Sequence, residues 1–418
     1  MTSAALFCVL SLLAPSVRAA QASLALEWKD CVAAALRENP DLAASRRALE
    51  ASRATYYGSY NGLLPQLSLS NSYGDSKGSD GSSRWGAQAS LSMNLLSASD
   101  IARVRSASAA LASSEAGLRQ AGANLLSDLR RAFGQLLYQQ QSVEVSRVIR
   151  GLRERNARLV SLRYDSGRES KGNMLRAKAE SLQADAQLSQ ALRDLGVAQK
   201  VLDRQLGRDA FDAVAVTGTL DVQGLPEYPR DARSLLSGRP DVALQEASVR
   251  SAEAALAQSR SALWPSVSAS YARSRSGRDE FPASRYNWSF SGTLSIPVFG
   301  GGPTAAFFSV SSAQRSLEKS TQALRAARNA AVAEIEGAWA DYAGALEQVG
   351  VQAALLEASR QRNDEADVRY ASGLLSYDNW ELIVTDRVSS ERQALQARLN
   401  AWNALAVWEK ALGRTLGD

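Results

Sequence analysis

Apolar positions along this chain follow two periods, and the switches between them divide it. From Trp28 to Glu38, and again from Asp41 to about Leu64, the spacing is helical, with Asn39-Pro40 as the break. Pro65 stops the second helix and the period falls to two. Leu67, Leu69 and Tyr73 then share one side of an extended run, while Gln66, Ser68, Ser70 and Ser72 share the other. A polar stretch rich in Gly and Ser leads to a second alternating run. It has Trp85, Ala87, Ala89, Leu91, Met93 and Leu95 on one side and Gln88, Ser90, Ser92 and Asn94 on the other. The spacing predicts a strand pair at 66–74 and 85–95, each strand long enough to cross a bilayer when tilted. Tyr73 and Trp85, at one end of each run, suit an interfacial aromatic girdle. Beyond Ser99 the pattern is helical again, without a proline, over 99–164 and then over 172–206. Leu182, Leu188, Leu192, Leu195 and Leu202 form an apparent apolar stripe for packing that second helix on the first.

The two long helices are separated by Arg163-Tyr164-Asp165-Ser166-Gly167, with Ser170 three residues on. Glycine supplies the left-handed residue that ends a helix, and the serine caps the next one. The same turn returns 206 residues later as Arg369-Tyr370-Ala371-Ser372-Gly373 with Ser376, followed by Asp378 at the positive end of the next helix. Pro40-Asp41 returns as Pro240-Asp241, Pro65-Gln66-Leu67 as Pro265-Ser266-Val267, and Leu206-Gly207-Arg208 as Leu412-Gly413-Arg414. The second half carries its own strand pair, 266–274 and 287–298, then helices over 303–370 and 376–412. The chain is thus expected to be two structural repeats, 23–208 and 231–416, joined by a connector at 209–230.

Composition narrows the function. The 418 residues contain no histidine, which removes the commonest general base and metal ligand. There is no glycine-rich phosphate loop, and Gly300-Gly301-Gly302-Pro303 reads as a strand-to-helix turn. The expectation is a protein that is not an enzyme and holds no cofactor or metal. The net charge of +5 comes from arginines and glutamates interspersed along helical faces, with no basic block of five, so nucleic acid is not an expected partner. Beyond residue 20 no run of 18 apolar residues occurs. Residues 4–14 form a short apolar core followed by small residues, a signal peptide over 1–22 cut after Ala19 or Ala22. Cys31, among Val32, Ala33 and Ala35, reads as a small buried hydrophobe.

Two architectures remain open. A soluble sheet would bury its apolar face against the helices, giving a periplasmic coiled-coil scaffold with no pore. Membrane strands could not stop at four, because open sheet edges are not tolerated in lipid and single-chain barrels need at least about eight. Chains would then pool strands: two would give eight, an interior just filled by side chains, and three would give twelve, enough to leave an opening. In each half the helix before the strands and the helix after the turn together nearly match the long helix. Two short helices would stack end to end beside one continuous helix, and twelve such columns from three chains would make a hollow cylinder roughly 100 Å long.

At this point the residues resemble a known family, the outer-membrane efflux proteins of TolC-like type. The likeness is carried by Leu26-x4-Cys31-x3-Ala35-Leu36-x2-Asn39-Pro40-x-Leu42, by Leu63-Leu64-Pro65 before a serine-alternating strand, by Ile296-Pro297-Val298-Phe299-Gly300-Gly301-Gly302, and by the two Arg-Tyr-x-Ser-Gly turns. It covers nearly all of residues 24–416. The first repeat departs from it, with Asn94-Leu95-Leu96-Ser97-Ala98 where a Pro-x-Phe-Gly-Gly turn is usual. The resemblance implies a mainly α fold with a small membrane β part: a homotrimer with a 12-stranded barrel and a long α-helical tunnel. It further implies a passive outer-membrane duct of a Gram-negative cell, serving an efflux pump or type I secretion system. Partners would be a periplasmic adaptor, an inner-membrane pump or secretion ATPase, and outer-membrane lipid. Adaptor contact would fall on Gly167, Arg168, Glu169, Ser170, Gly373, Leu374, Leu375 and Ser376. A tunnel constriction would fall near Asn173, Asp378, Asn379 and Glu381.

Overall fold

The structure, a computed structural model, describes residues 25–76, 82–208, 214–222, 233–278, 285–297 and 302–415, with positions 224, 227–228 and 231. The signal segment and most of the second strand-to-helix turn lie outside the described residues. Helix α1 (Trp28–Glu38) and α2 (Pro40–Gly58) meet at Asn39, whose side chain accepts from the Leu42 N–H and caps α2. The helix after Pro40 is shorter than its periodicity suggests, because Ser59–Leu63 tightens into a 3-10 turn. Strands β1 (Gln66–Ser76) and β2 (Ser82–Leu96) follow, then α3 (Ala98–Asp165) and α4 (Lys171–Leu206). The second half has a 3-10 turn at Ser234–Gly238, α5 (Pro240–Ser261), β3 (Ser266–Arg278), β4 (Arg285–Ser295), α6 (Pro303–Ala371) and α7 (Tyr377–Ala411). The connector adds one bridge, where Val216 meets Leu26. No helix among the described residues is long and apolar enough to cross a membrane.

The four strands form one antiparallel sheet in the order β1-β2-β3-β4, so the halves meet at β2 and β3. Register keeps like with like. Leu67 faces Leu91, Leu91 faces Tyr271, Tyr271 faces Phe290, and Val267 faces Leu294. On the other side Ser68 pairs with Ser90 and Ser270 with Ser291, their hydroxyls 2.6 and 2.8 Å apart. Among the described residues no element covers the apolar face: Leu69 is 77% and Phe290 68% exposed. A soluble scaffold would need that face buried, and it is not.

Helices α3 and α6, of 68 and 69 residues, each run roughly 100 Å. The short helices meet end to end beside them. At Gly207, where α4 ends, an added Cβ would lie 2.2 Å from the Glu38 carbonyl oxygen, and Asn39 donates to the Gln205 carbonyl (2.9 Å). At Gly413, past the end of α7, it would lie 3.1 Å from the Arg239 Cα, and the buried Arg239 donates to the Ala411 carbonyl (2.8 Å). A cluster around Leu129, Phe133, Leu136, Leu202 and Leu206 fills the first junction. Cys31 is fully buried there, and burial pushes its thiol up to about 11.

Packing along the helices corrects the leucine stripe in part. The buried seam of α4 is Ala177, Ala184, Ala191 and Ala198, at steps of seven, whereas Leu182 is 69% and Leu192 47% exposed. Helix α3 presents Ala102, Ala109, Ala116 and Ala123 at the same step. A seven-residue repeat keeps one seam facing its partner by left-handed supercoiling, and alanine lets the backbones approach closely. Leu182 and Leu192 are thereby left on the outside, while Leu202 is fully buried and Leu195 packs against the core at the first junction.

Candidate functional site at the helix tips

The turn after α3 closes as its sequence requires. Gly167 has φ +71°, its N–H returns to the Tyr164 carbonyl (2.9 Å), and the Arg168 N–H returns to that of Arg163 (2.8 Å). The Ser170 hydroxyl accepts from the Asn173 N–H (3.1 Å) and caps α4. The turn after α6 matches, with Gly373 at φ +79° and the Leu374 N–H on the Arg369 carbonyl (2.9 Å). Ser376 differs from expectation: it holds the cap position with extended backbone, but its side chain makes no capping bond.

The two turns are tied together. The Arg163 guanidinium lies 4.6 Å from the Tyr370 ring centroid and donates to the Tyr370 carbonyl. The Tyr370 hydroxyl donates to Glu169 (2.8 Å), which also accepts from the Asn173 side chain (2.8 Å) and the Ser170 N–H (3.1 Å). Tyr370 stacks on Trp380 at 4.3 Å, and Trp380 Nε1 donates to Asp367 (2.7 Å). Tyr370, Tyr377 and Trp380 stand where the first repeat has Tyr164, Lys171 and Met174, so one repeat supplies the aromatic core of the tip.

The residues singled out from the sequence therefore separate by role. Arg168, Ser170, Gly167, Gly373 and Ser376 are exposed, and Leu374 is 80% exposed. Leu375 packs against the aromatic cluster, and Glu169 is half-buried in the tie. Asp378 and Asn379 are open to solvent and Asn173 is half-buried. Glu381 is buried on Arg153 (2.6 Å), which also holds Glu180 (2.9 Å) and Thr385 (3.2 Å). Sequence reading missed Arg153 and Glu180; Arg153 joins Glu180 on α4 to Glu381 on α7, and no local spacing signals such a contact.

Burial alone would raise the Glu169 carboxyl. Its donors Asn173, Tyr370 and the Ser170 N–H, with the Arg163 charge, outweigh that and hold it below its ordinary value. Glu180 goes the other way: burial, then the nearby Glu381, push it up against the pull of Arg153 and Arg176. A carboxyl held low contributes stability above its unfolded range and loses it as pH falls through the lowered value; a raised one contributes at low pH and loses it as pH rises through the raised value. Acidification is thus expected to loosen the Glu169 tie. Glu169→Gln should speed amide exchange at the start of α4 about fivefold at neutral pH, as for a partly screened charged hydrogen bond. That difference from the unaltered chain should vanish once Glu169 is protonated.

Comparison with known proteins places this geometry. A sequence model of the outer membrane efflux protein family matches residues 31–208 and 232–414. The solvent efflux pump outer membrane protein SrpC of Pseudomonas putida is 26% identical over 247 residues, 56% of this chain and 51% of that protein. The match thus spans about half the length of the curated relative. Among solved structures, CusC superposes with TM-score 0.83 at 18% identity, covering 93% of this chain and 92% of its own. The outer membrane protein VceC of Vibrio cholerae gives 0.80 at 17%, covering 93% and 96%.

Proposed function

The chain belongs to the outer membrane efflux protein family, matched over both of its halves, and from that premise we propose that it is the channel of a tripartite export system. It lies in the outer membrane of a Gram-negative cell with a long helical part in the periplasm. The observation that carries the reading is the sheet: four strands, an uncovered apolar face and two edges without a neighbour among the described residues. In lipid those edges must pair with other chains. Three copies supply twelve strands, with the serine-rich faces lining a wet lumen. Opened and closed by helix movement at the tips, such a duct is passive: it performs no catalysis and needs no cofactor.

Its partners are a periplasmic adaptor and, through it, an inner-membrane pump or secretion ATPase. Small molecules, metal ions and polypeptides are all compatible with the duct. The name of the related solvent efflux component supports small molecules. The adaptor surface is the tip formed by Gly167 to Ser170 and Gly373 to Ser376, with Arg168 and Leu374 as the projecting contacts. The constriction falls near Asp378, Asn379 and Asn173, while Glu381 braces the tip from inside. Leu374→Asp combined with Arg168→Ala should abolish adaptor crosslinking at the tip and cut dye export at least about tenfold, the loss of a central contact, with folding unchanged. Unchanged crosslinking and export would remove the tips as the docking surface.

A further inference from the structure

On β3 the alternation that puts Val267, Ala269 and Tyr271 on the apolar face also puts Arg273 and Arg275 there. Serines occupy the opposite face at Ser274 and Ser276, so the arginines stand on the side meant for lipid. Their height on the sheet explains how they are tolerated. The helices join the sheet at Gln66, Leu96, Ser266 and Ser295, so the hairpin ends point away from the periplasm. Arg273 pairs with Trp288, Arg275 with Tyr286, and Tyr73 with Trp85. The aromatics step obliquely across the strands: the row of Trp288 meets β1 at Leu69, four residues short of Tyr73. That slip over three inter-strand spacings corresponds to a tilt of roughly 40°, the tilt of membrane barrels. At that tilt the strand from Leu294 to Tyr286 rises about 20 Å, most of the ~25 Å apolar band. Arg275 therefore lies at the outer rim of the band, where a guanidinium costs little, and Arg273 about 5 Å below it. Arg273 also reaches outward: its guanidinium lies 5.3 Å from the ring centroid of Tyr286, two residues nearer the hairpin than its own partner.

Beside them the surface is hollowed. A shallow groove of about 680 Å3 runs between β1 and β3, with Ala87 and Ala89 as its floor, Leu69 and Asn71 on one wall and Arg273, Arg275 and Tyr286 on the other. Register places Ala87 beside Arg275 and Ala89 beside Arg273, so small side chains leave room next to each arginine. Among the described residues neither arginine has a carboxylate partner. Paired guanidiniums over an apolar floor at the outer rim match a phosphate attached to acyl chains.

We propose that this groove binds a phosphate-bearing glycolipid of the outer leaflet, lipid A, with Arg273 and Arg275 on its phosphate and Ala87 and Ala89 beneath its acyl chains. The proposal rests on the outer-membrane reading of the sheet. It is tested by native mass spectrometry of the detergent-extracted protein titrated with bisphosphorylated lipid A, with dephosphorylated lipid A and with phosphatidylethanolamine. The expected result is up to three lipid A molecules per three-chain complex, at least about tenfold weaker binding of the other two lipids, and a similar loss in Arg273→Ala/Arg275→Ala. Comparing the lipids on the unaltered chain keeps the test independent of whether the variant folds. An intact complex that binds the three lipids alike, or a variant complex that binds lipid A as the unaltered one does, overturns the lipid site and leaves the duct standing. A single-chain species that needs no detergent overturns both.

Discussion

Arg153→Met is expected to loosen the helix tips by about 3–5 kcal/mol, the usual cost of removing one partner of a buried ion pair. Arg153 on α3 is the cation between Glu180 on α4 and Glu381 on α7, with side-chain exposures of 11, 19 and 5%. Without it two carboxylates remain close together in a site that already pushes Glu180 up. One must take a proton or the helices must part. The loss should therefore be larger at pH 8 than at pH 5, since the raised carboxyl contributes only while protonated. Amide exchange along α4 and α7 below the turns measures it locally, which suits a large membrane assembly that does not unfold in one step. Adding Glu180→Gln and Glu381→Gln should recover most of the loss, because the cost lies in the stranded charges. Equal exchange in Arg153→Met and the unaltered chain would show that the network carries no strength at the tip.

Gly207→Ala should be similarly damaging, for a backbone reason. The residue has φ +80°, which costs a side chain about 1–2 kcal/mol, and its new Cβ would meet the Glu38 carbonyl oxygen at 2.2 Å. Backbone cannot swing aside as a flexible side chain can, so α4 must separate from the start of α2. A local loss above about 3 kcal/mol is expected, since the clash adds to the conformational cost. Gly167→Ala is the control. It shares the left-handed conformation, at φ +71°, but has nothing within 4 Å of the new Cβ, so only the conformational cost applies. If both variants exchange alike near their substitutions, end-to-end contact of α4 and α2 is not what Gly207 serves.

What the sequence made legible was whatever is written within a few residues. Serine alternation shows the two faces of each strand, and the structure pairs Ser68 with Ser90 and Ser270 with Ser291. The Gly167 and Gly373 turns announce themselves because a left-handed residue needs glycine. Packing partners were less legible. Leucine counts more than alanine in any hydrophobic pattern, so Leu182 and Leu192 outweigh the alanine seam that is buried. At the tip, spacing marked which residues turn the chain but not which of them hold it. Glu169 meets Tyr370 across 201 residues and Arg153 meets Glu381 across 228, contacts that only the folded bundle creates. Arg273 and Arg275 end the run of apolar residues on β3 but keep its period, and the register sets them opposite Trp288 and Tyr286 on the apolar face.

The central claim is that three chains close one barrel. Native mass of the complex extracted from outer membranes in mild detergent tests it most directly. The account predicts a species of three chains that survives detergent, because each open edge of the sheet pairs with a neighbour. A monomer that leaves the membrane in carbonate would contradict it, since one chain alone cannot hide the edges of β1 and β4 or the apolar face between them.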